Sequence, residues 1–125
     1  MLQTHAYPTV QASRWEVVGI VLENGDRPTE DSLEEEGVDA QGFIALFRNL
    51  MLNQPFQRFG NKFKPLRHVQ NVFQVSTVSE RILGFRCRHQ LILTTPFRKK
   101  SNQTDATYIE ECKRIATRFF DQHGS

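Results

Sequence analysis

Between Val69 and Phe97 the chain carries three apolar runs, VQNVFQVST (69–77), RILGFR (81–86) and QLILTTPF (90–97). Only Val78–Glu80 and Cys87–His89 separate them. Runs of this length, rich in Val, Ile, Leu, Phe and Thr, read as strands. Gaps this short admit only hairpins, because a parallel crossover needs a dozen or more residues. The segment is therefore expected to form an antiparallel meander, and the rest of the chain must cover it.

The remaining elements follow from periodicity. RWEVVGIVLE (14–23) reads as a further strand and ENGDRP as a turn. TEDSLEEEG opens a short acidic helix, with Thr29 as its expected cap and acids suited to the positive end of the helix dipole. In AQGFIALFRNLMLN (40–53), Phe43, Phe47, Leu50 and Met51 recur at helical spacing, widened by Ile44 and Leu46 into a core-facing stripe. QPFQRFGNKFKPLRHV is expected to be irregular, broken by Pro55, Gly60 and Pro65. A last helix is expected from Asp105 to Gln122, with Thr104 as its cap and an apolar face of Tyr108, Ile109, Cys112, Ile115, Ala116 and Phe119. Glu110 stands four residues before Arg114, a spacing that supports a helix. The order β-α-α-β-β-β-α predicts an α+β fold with helices packed on a small, antiparallel-rich sheet. Residues 1–13 are polar and expected to be flexible, and 14–125 to be one domain of a size that holds a single core.

Charge is unevenly spread. Residues 1–55 hold three cations against nine acids, whereas 56–125 hold thirteen cations against five acids. Within 56–100 the only acid is Glu80, set among ten cations. Such a concentration suggests a basic face for a polyanion, nucleic acid first. Cys87 and Cys112 are far apart with no CxxC, so neither a disulfide framework nor a zinc site is signalled. No apolar run approaches the roughly 20 residues that span a bilayer. MLQTHAYPTVQAS lacks the basic-then-apolar layout of a signal peptide, and the expected location is a reducing cytoplasm.

The hairpins direct the cations. With turns centred near Arg88 and Ser79, Arg81 is expected opposite Thr95 and beside Thr77, at the same end of the sheet as Phe97, Arg98, Lys99 and Lys100. Like charges gathered there repel one another unless they grip an anion. His68 and His89 fall at the other end, roughly 20 Å away at ~3.3 Å per residue, and Arg67, Arg86 and Arg88 share that end. A two-histidine ribonuclease built around Arg81 is disfavoured. His89 reads as a turn residue.

These features resemble the RelE/ParE toxin superfamily, most closely its phage-related, HigB-like branch. The resemblance rests on the order of elements, Lys64 and Leu66 before the second strand, Arg81-Ile82-Leu83, GDRPTEDSL after the first strand, and above all LILTTPFRKKS before the last helix. It covers about residues 14–121. It implies a toxin of a type II toxin–antitoxin system, an mRNA interferase that cuts message on the ribosome, with growth arrest as the outcome. Arg81 then matches a strand arginine that contacts the scissile phosphate, and Arg98, Lys99 and Lys100 match basic residues ending the last strand. Lys62, Lys64, Arg67 and Phe97 are further candidates for RNA contact. The implied partners are mRNA, the ribosome and a small helix-turn-helix antitoxin, without a membrane, cofactor or metal. Gln74 and Ser76 depart from the basic residues that relatives carry on the second strand.

RNA supplies its own nucleophile, the 2′-hydroxyl, so cleavage needs a base, a stabiliser of charge on phosphorus and a proton for the leaving 5′ oxygen. Arg81 suits the second role, because its fork matches phosphate oxygens and never loses its charge. Lys99, flanked by Arg98 and Lys100, has the cationic neighbours that would favour the neutral, basic form. All three cations also suit plain backbone binding. Two other classes remain open: a gyrase-directed inhibitor of the ParE kind, and an RNA-binding member with weakened catalysis.

Overall fold

The structure is a computed structural model that describes residues 2–6, 16–51, 62–66, 69–78, 80–98 and 106–124. The chain runs β1 (Gln3–Ala6), β2 (Glu16–Val21), α1 (Pro28–Leu33), α2 (Ala40–Met51), β3 (Phe63–Pro65), β4 (Val72–Ser76), β5 (Glu80–Cys87), β6 (Gln90–Arg98) and α3 (Ala106–His123). The strands form one sheet in the order β1-β2-β6-β5-β4-β3. Every pairing is antiparallel except β2 with β6, which is parallel and sets Val17 beside Leu91. The coarse α+β expectation holds, and the sheet is mixed.

Side-chain alternation along the strands divides the core in two. Val17, Phe73, Val75, Ile82, Leu91 and Leu93 pack with Phe43, Leu46, Phe47, Leu50 and Met51 of α2. Val18, Ile20, Phe85 and Ile92 face the other way and meet Ile115 and Phe119 of α3, while Leu83 meets Cys112. Strands covered on both faces show no polar alternation, and Val17–Ile20 of β2 and Leu91–Thr95 of β6 are accordingly buried without a break. The stripes expected on both long helices are the ones that face the sheet.

Several details depart from the sequence expectations. Gln3–Ala6, within the segment expected to be flexible, pairs with β2. Its neighbour Leu2 is fully buried, with its amide donating to Gln122 Oε1 at 2.5 Å and its carbonyl 2.6 Å from His123 Nε2. Phe63–Pro65, within the stretch expected to be irregular, is a short strand pairing with β4. Thr29 is not the cap of α1. The cap position falls on Arg27, Pro28 takes the first helical turn, where its missing N–H costs nothing, and Thr29 is buried within the helix. Glu110 pairs with Lys113 at 3.3 Å rather than with Arg114. Thr104 lies outside the described residues.

The register of the meander also differs. Arg81 stands opposite Phe97 instead of Thr95, and opposite Ser76 instead of Thr77. The β5–β6 turn contains only Arg88 and His89, with Cys87 facing Gln90 and Arg88 at a φ of 56°. That tighter turn shifts the pairing by one residue. A bulge shifts it by one more, since Leu83 faces Thr95 while Gly84 faces Leu93, leaving Thr94 as the extra residue. Gly84 is required at this point. A Cβ there would lie 2.8 Å from Phe73 Cζ and closer still to the Ile92 carbonyl oxygen.

Candidate nucleic-acid interface

The end of the sheet that holds Arg81 is shaped by the β4–β5 turn. The Thr77 amide donates to the Glu80 carbonyl at 3.0 Å, and the Thr77 hydroxyl bonds the Glu80 carboxylate at 3.1 Å. Arg81 then ties the turn together from outside. Its Nη1 donates to the Thr77 carbonyl at 2.8 Å and to the Glu80 carbonyl at 3.0 Å. Both Nη1 protons are thus used on backbone. Nε and Nη2, the side-on edge of the guanidinium, make no hydrogen bond to a described residue. Burial pulls the Arg81 pKa below its ordinary value and the neighbouring Glu80 charge raises it again, but an arginine remains cationic throughout.

This turn faces the start of α2 across a cleft of about 450 Å³. Lys62, Ser76, Thr77, Val78 and Arg81 form the strand wall, and Asp39, Gly42, Ala45, Leu46 and Asn49 form the helix wall. The helix residues follow one another at helical spacing, so one face of α2 lines the cleft for three turns. Asp39 caps α2, its Oδ1 accepting from the Gly42 amide at 2.9 Å. Val78 projects almost wholly into solvent at the tip of the turn.

The remaining candidates do not all converge here. Phe97, directly across from Arg81, stacks on Tyr108 of α3 with ring centroids 4.3 Å apart and 11° between planes. It is an aromatic anchor for the start of α3. Arg98 projects to the opposite face, where its Nη2 donates to the Glu36 carbonyl at 3.4 Å. There it lines a smaller cleft of about 210 Å³ with Asp31, Glu35 and Glu80, so its surroundings are acidic. Lys64 stands beside Gln74 in β3, two residues after Lys62, which precedes the strand. Arg67, Lys99 and Lys100 lie outside the described residues, so Arg81 and Lys62 are the expected site cations that the structure sets around one cleft.

Gln74 and Ser76 are both buried, and the Gln74 amide nitrogen bonds the Ser76 hydroxyl at 3.3 Å. His89 sits on the β5–β6 turn at the far end of the sheet, where it lines a separate cleft with Cys87 and His123. Among the described residues no group of three or more His, Cys, Asp and Glu side chains is placed to hold a metal ion, and no helix is long and apolar enough to cross a membrane.

Sequence reasoning passed over Asp39, Asn49, Thr77 and Val78. The one local signal was Asp39 followed three residues later by Gly42, a cap with an unusual glycine in the first helical turn. That α2 would lie against the β4–β5 turn is a tertiary fact, invisible in any single segment. No protein-family model matches the chain, and neither a curated protein nor a solved structure does.

Proposed function

We propose that the chain is the toxin of a type II toxin–antitoxin pair, a RelE-like mRNA endoribonuclease that works in the cytoplasm without a metal. The observation that carries this reading is the state of Arg81. Two backbone carbonyls hold its Nη1, which fixes the guanidinium plane and leaves the Nε–H/Nη2–H edge as a ready-made fork, in a cleft that Lys62 also lines. A planar pair of donors, oriented in advance, is what recognition of two phosphate oxygens requires. The excess of cations after residue 55 supports the same reading.

In the proposed reaction the 2′-oxygen attacks the adjacent phosphorus, a 2′,3′-cyclic phosphate forms, and the bond to the 5′ oxygen breaks. Arg81 holds the phosphoryl oxygens as charge grows on them, and Lys62 adds a second positive charge. Lys99 takes the 2′-hydroxyl proton in this scheme, and a protonated neighbour returns one to the leaving oxygen. The ribosome presents the message, and a small helix-turn-helix antitoxin covers the basic end of the sheet.

One observation favours a second reading. Gln74 and Ser76 are buried and bonded to each other, and β4, VFQVS, offers RNA no cation. A member that grips RNA but cuts it poorly fits that arrangement. Induced expression separates the readings. Growth arrest with new 5′ ends in mRNA, both lost in a folded Arg81→Ala variant, is the expected result. Arrest with DNA-damage signalling and intact mRNA would assign the chain to the gyrase inhibitors. RNA binding without arrest would leave the non-catalytic reading in place.

A further inference from the structure

The two walls of the cleft carry opposite chemistry. Arg81 and Lys62 stand on the strand wall, whereas Asp39 and Asn49 stand on the helix wall, with Leu46 and Ala45 between them. A phosphate alone would be served by the cations and repelled by the carboxylate. The cleft therefore suits a ligand that is anionic at one end and offers hydrogen-bond donors at the other. Its volume lies within the range of small-molecule sites.

Asp39 is unusually well fixed for an exposed carboxylate. Oδ1 accepts from the Gly42 amide at 2.9 Å, so the group is seated on the first turn of α2. The seat exists because residue 42 has no side chain: a Cβ there would fall 2.7 Å from Asp39 Cγ. Glycine inside a helix is costly relative to alanine. Here it makes room for the carboxylate. Each carboxylate oxygen has two lone pairs, so Asp39 retains acceptors on both oxygens after capping the helix.

We infer that the cleft seats one nucleotide of the RNA, with its phosphate on Arg81 and Lys62 and a guanine base read by Asp39. The inference rests on the proposed RNA-binding function. Guanine presents two adjacent donors, N1–H and N2–H, on its Watson–Crick edge, which match the two oxygens of a carboxylate. Adenine presents a donor beside an acceptor on that edge, and the acceptor would face the carboxylate charge. Uracil presents one donor between two carbonyls. Single-stranded RNA is commonly read on such edges, and a good bidentate pair discriminates by about tenfold or more.

The test uses the full chain and two fluorescein-labelled uridine octamers, one with a central guanine and one with a central adenine. Both are 2′-O-methylated so that they lack the nucleophile. Fluorescence anisotropy should show at least about tenfold tighter binding of the guanine octamer. Asp39→Asn keeps an equally good helix cap but replaces one acceptor by a donor, and its preference should move toward adenine. Gly42→Ala, which strengthens helix propensity while displacing the carboxylate, should bind both octamers alike. Equal binding by the wild-type chain, or a guanine preference unchanged in Asp39→Asn, overturns the base assignment. Arg81→Ala should weaken both octamers together. If it weakens neither, or if the wild-type chain binds neither, the proposed phosphate site fails and the base assignment falls with it.

Discussion

Replacing Gly84 by alanine tests the account of the sheet on which the site depends. The new methyl group would meet Phe73 Cζ at 2.8 Å and the Ile92 carbonyl oxygen at a shorter distance. Neither neighbour can yield cheaply. Ile92 belongs to the central pairing of β6 with both β2 and β5, and its carbonyl is fixed by that backbone. Phe73 is packed against Phe63, with ring centroids 5.2 Å apart. Overpacking of this kind costs about 1–3 kcal/mol, and contact with rigid backbone on one side argues for the upper end, ~3 kcal/mol. The lower entropy of an unfolded chain with alanine returns about 0.4–1 kcal/mol. The net expectation is a loss of about 2 kcal/mol, or a fall of roughly 6–10 °C in melting temperature for a chain of this length. Urea titration followed by circular dichroism should show a lower midpoint with an unchanged slope. A variant as stable as the parent would mean that β5 and β6 do not approach as closely as described. The bulge at Thr94 would then no longer explain why Arg81 faces Phe97.

Phe97→Ala should lose about 2 kcal/mol, less than a fully buried phenylalanine because the ring is only half-covered, and should loosen the start of α3 through the lost stack on Tyr108; thermal unfolding and near-ultraviolet dichroism check both. Burial pushes the Cys112 thiol up to about 11, with Glu111 adding to the rise and a hydrogen bond to Thr94 opposing it. Because the folded state holds that proton more tightly, its contribution to stability is complete below pH 9 and disappears as the pH rises from 9 to about 11; stability measured across that window should fall, and the thiol should resist alkylation at pH 8 until the chain unfolds. Neutralising Lys62 and Arg81 together should lower the salt slope of single-stranded RNA binding by about 1.4, which a titration of binding against salt reads directly. An unchanged slope would place the phosphate contacts elsewhere.

Much of the scaffold was legible because its signals are local. The stripe from Phe43 to Met51 and the one from Tyr108 to Phe119 identify both long helices and the faces they bury. The short gaps after Thr77 and Arg86 dictate hairpins. What escaped was set by contacts between elements. Gln3–Ala6 and Phe63–Pro65 are short edge strands without an apolar alternation of their own, and Pro65 is tolerated because it sits on an edge. The slip in register came from Thr94, whose role as a bulge is visible only once Gly84 is seen against Ile92. The candidate site shows the same division. Arg81 and Lys62 were readable as cations near one end of the sheet, but the separation of Arg98 from Phe97 needed the true strand ends. Asp39 entered only when α2 was docked against the β4–β5 turn.

The parallel pairing of β2 with β6 has a consequence for the order in which this molecule comes into being. Glu16 and Gln90, joined at 3.2 Å, are 74 residues apart in sequence. On a ribosome the acidic first half of the chain emerges with β2 unpaired on that side, and nothing made before β6 can satisfy it. Closure over such a span is entropically slow compared with forming a hairpin. The meander and its turn, with Arg81 already tied to Thr77 and Glu80, can form first as a local unit. The helix wall of the cleft packs on Phe73, Val75 and Ile82 and also on Val17, Leu91 and Leu93, so its full seat exists only once β6 has joined β2. A chain interrupted before residue 90 would lack Leu91 and Leu93 from the core beneath α2, so the complete cleft is a late product of synthesis.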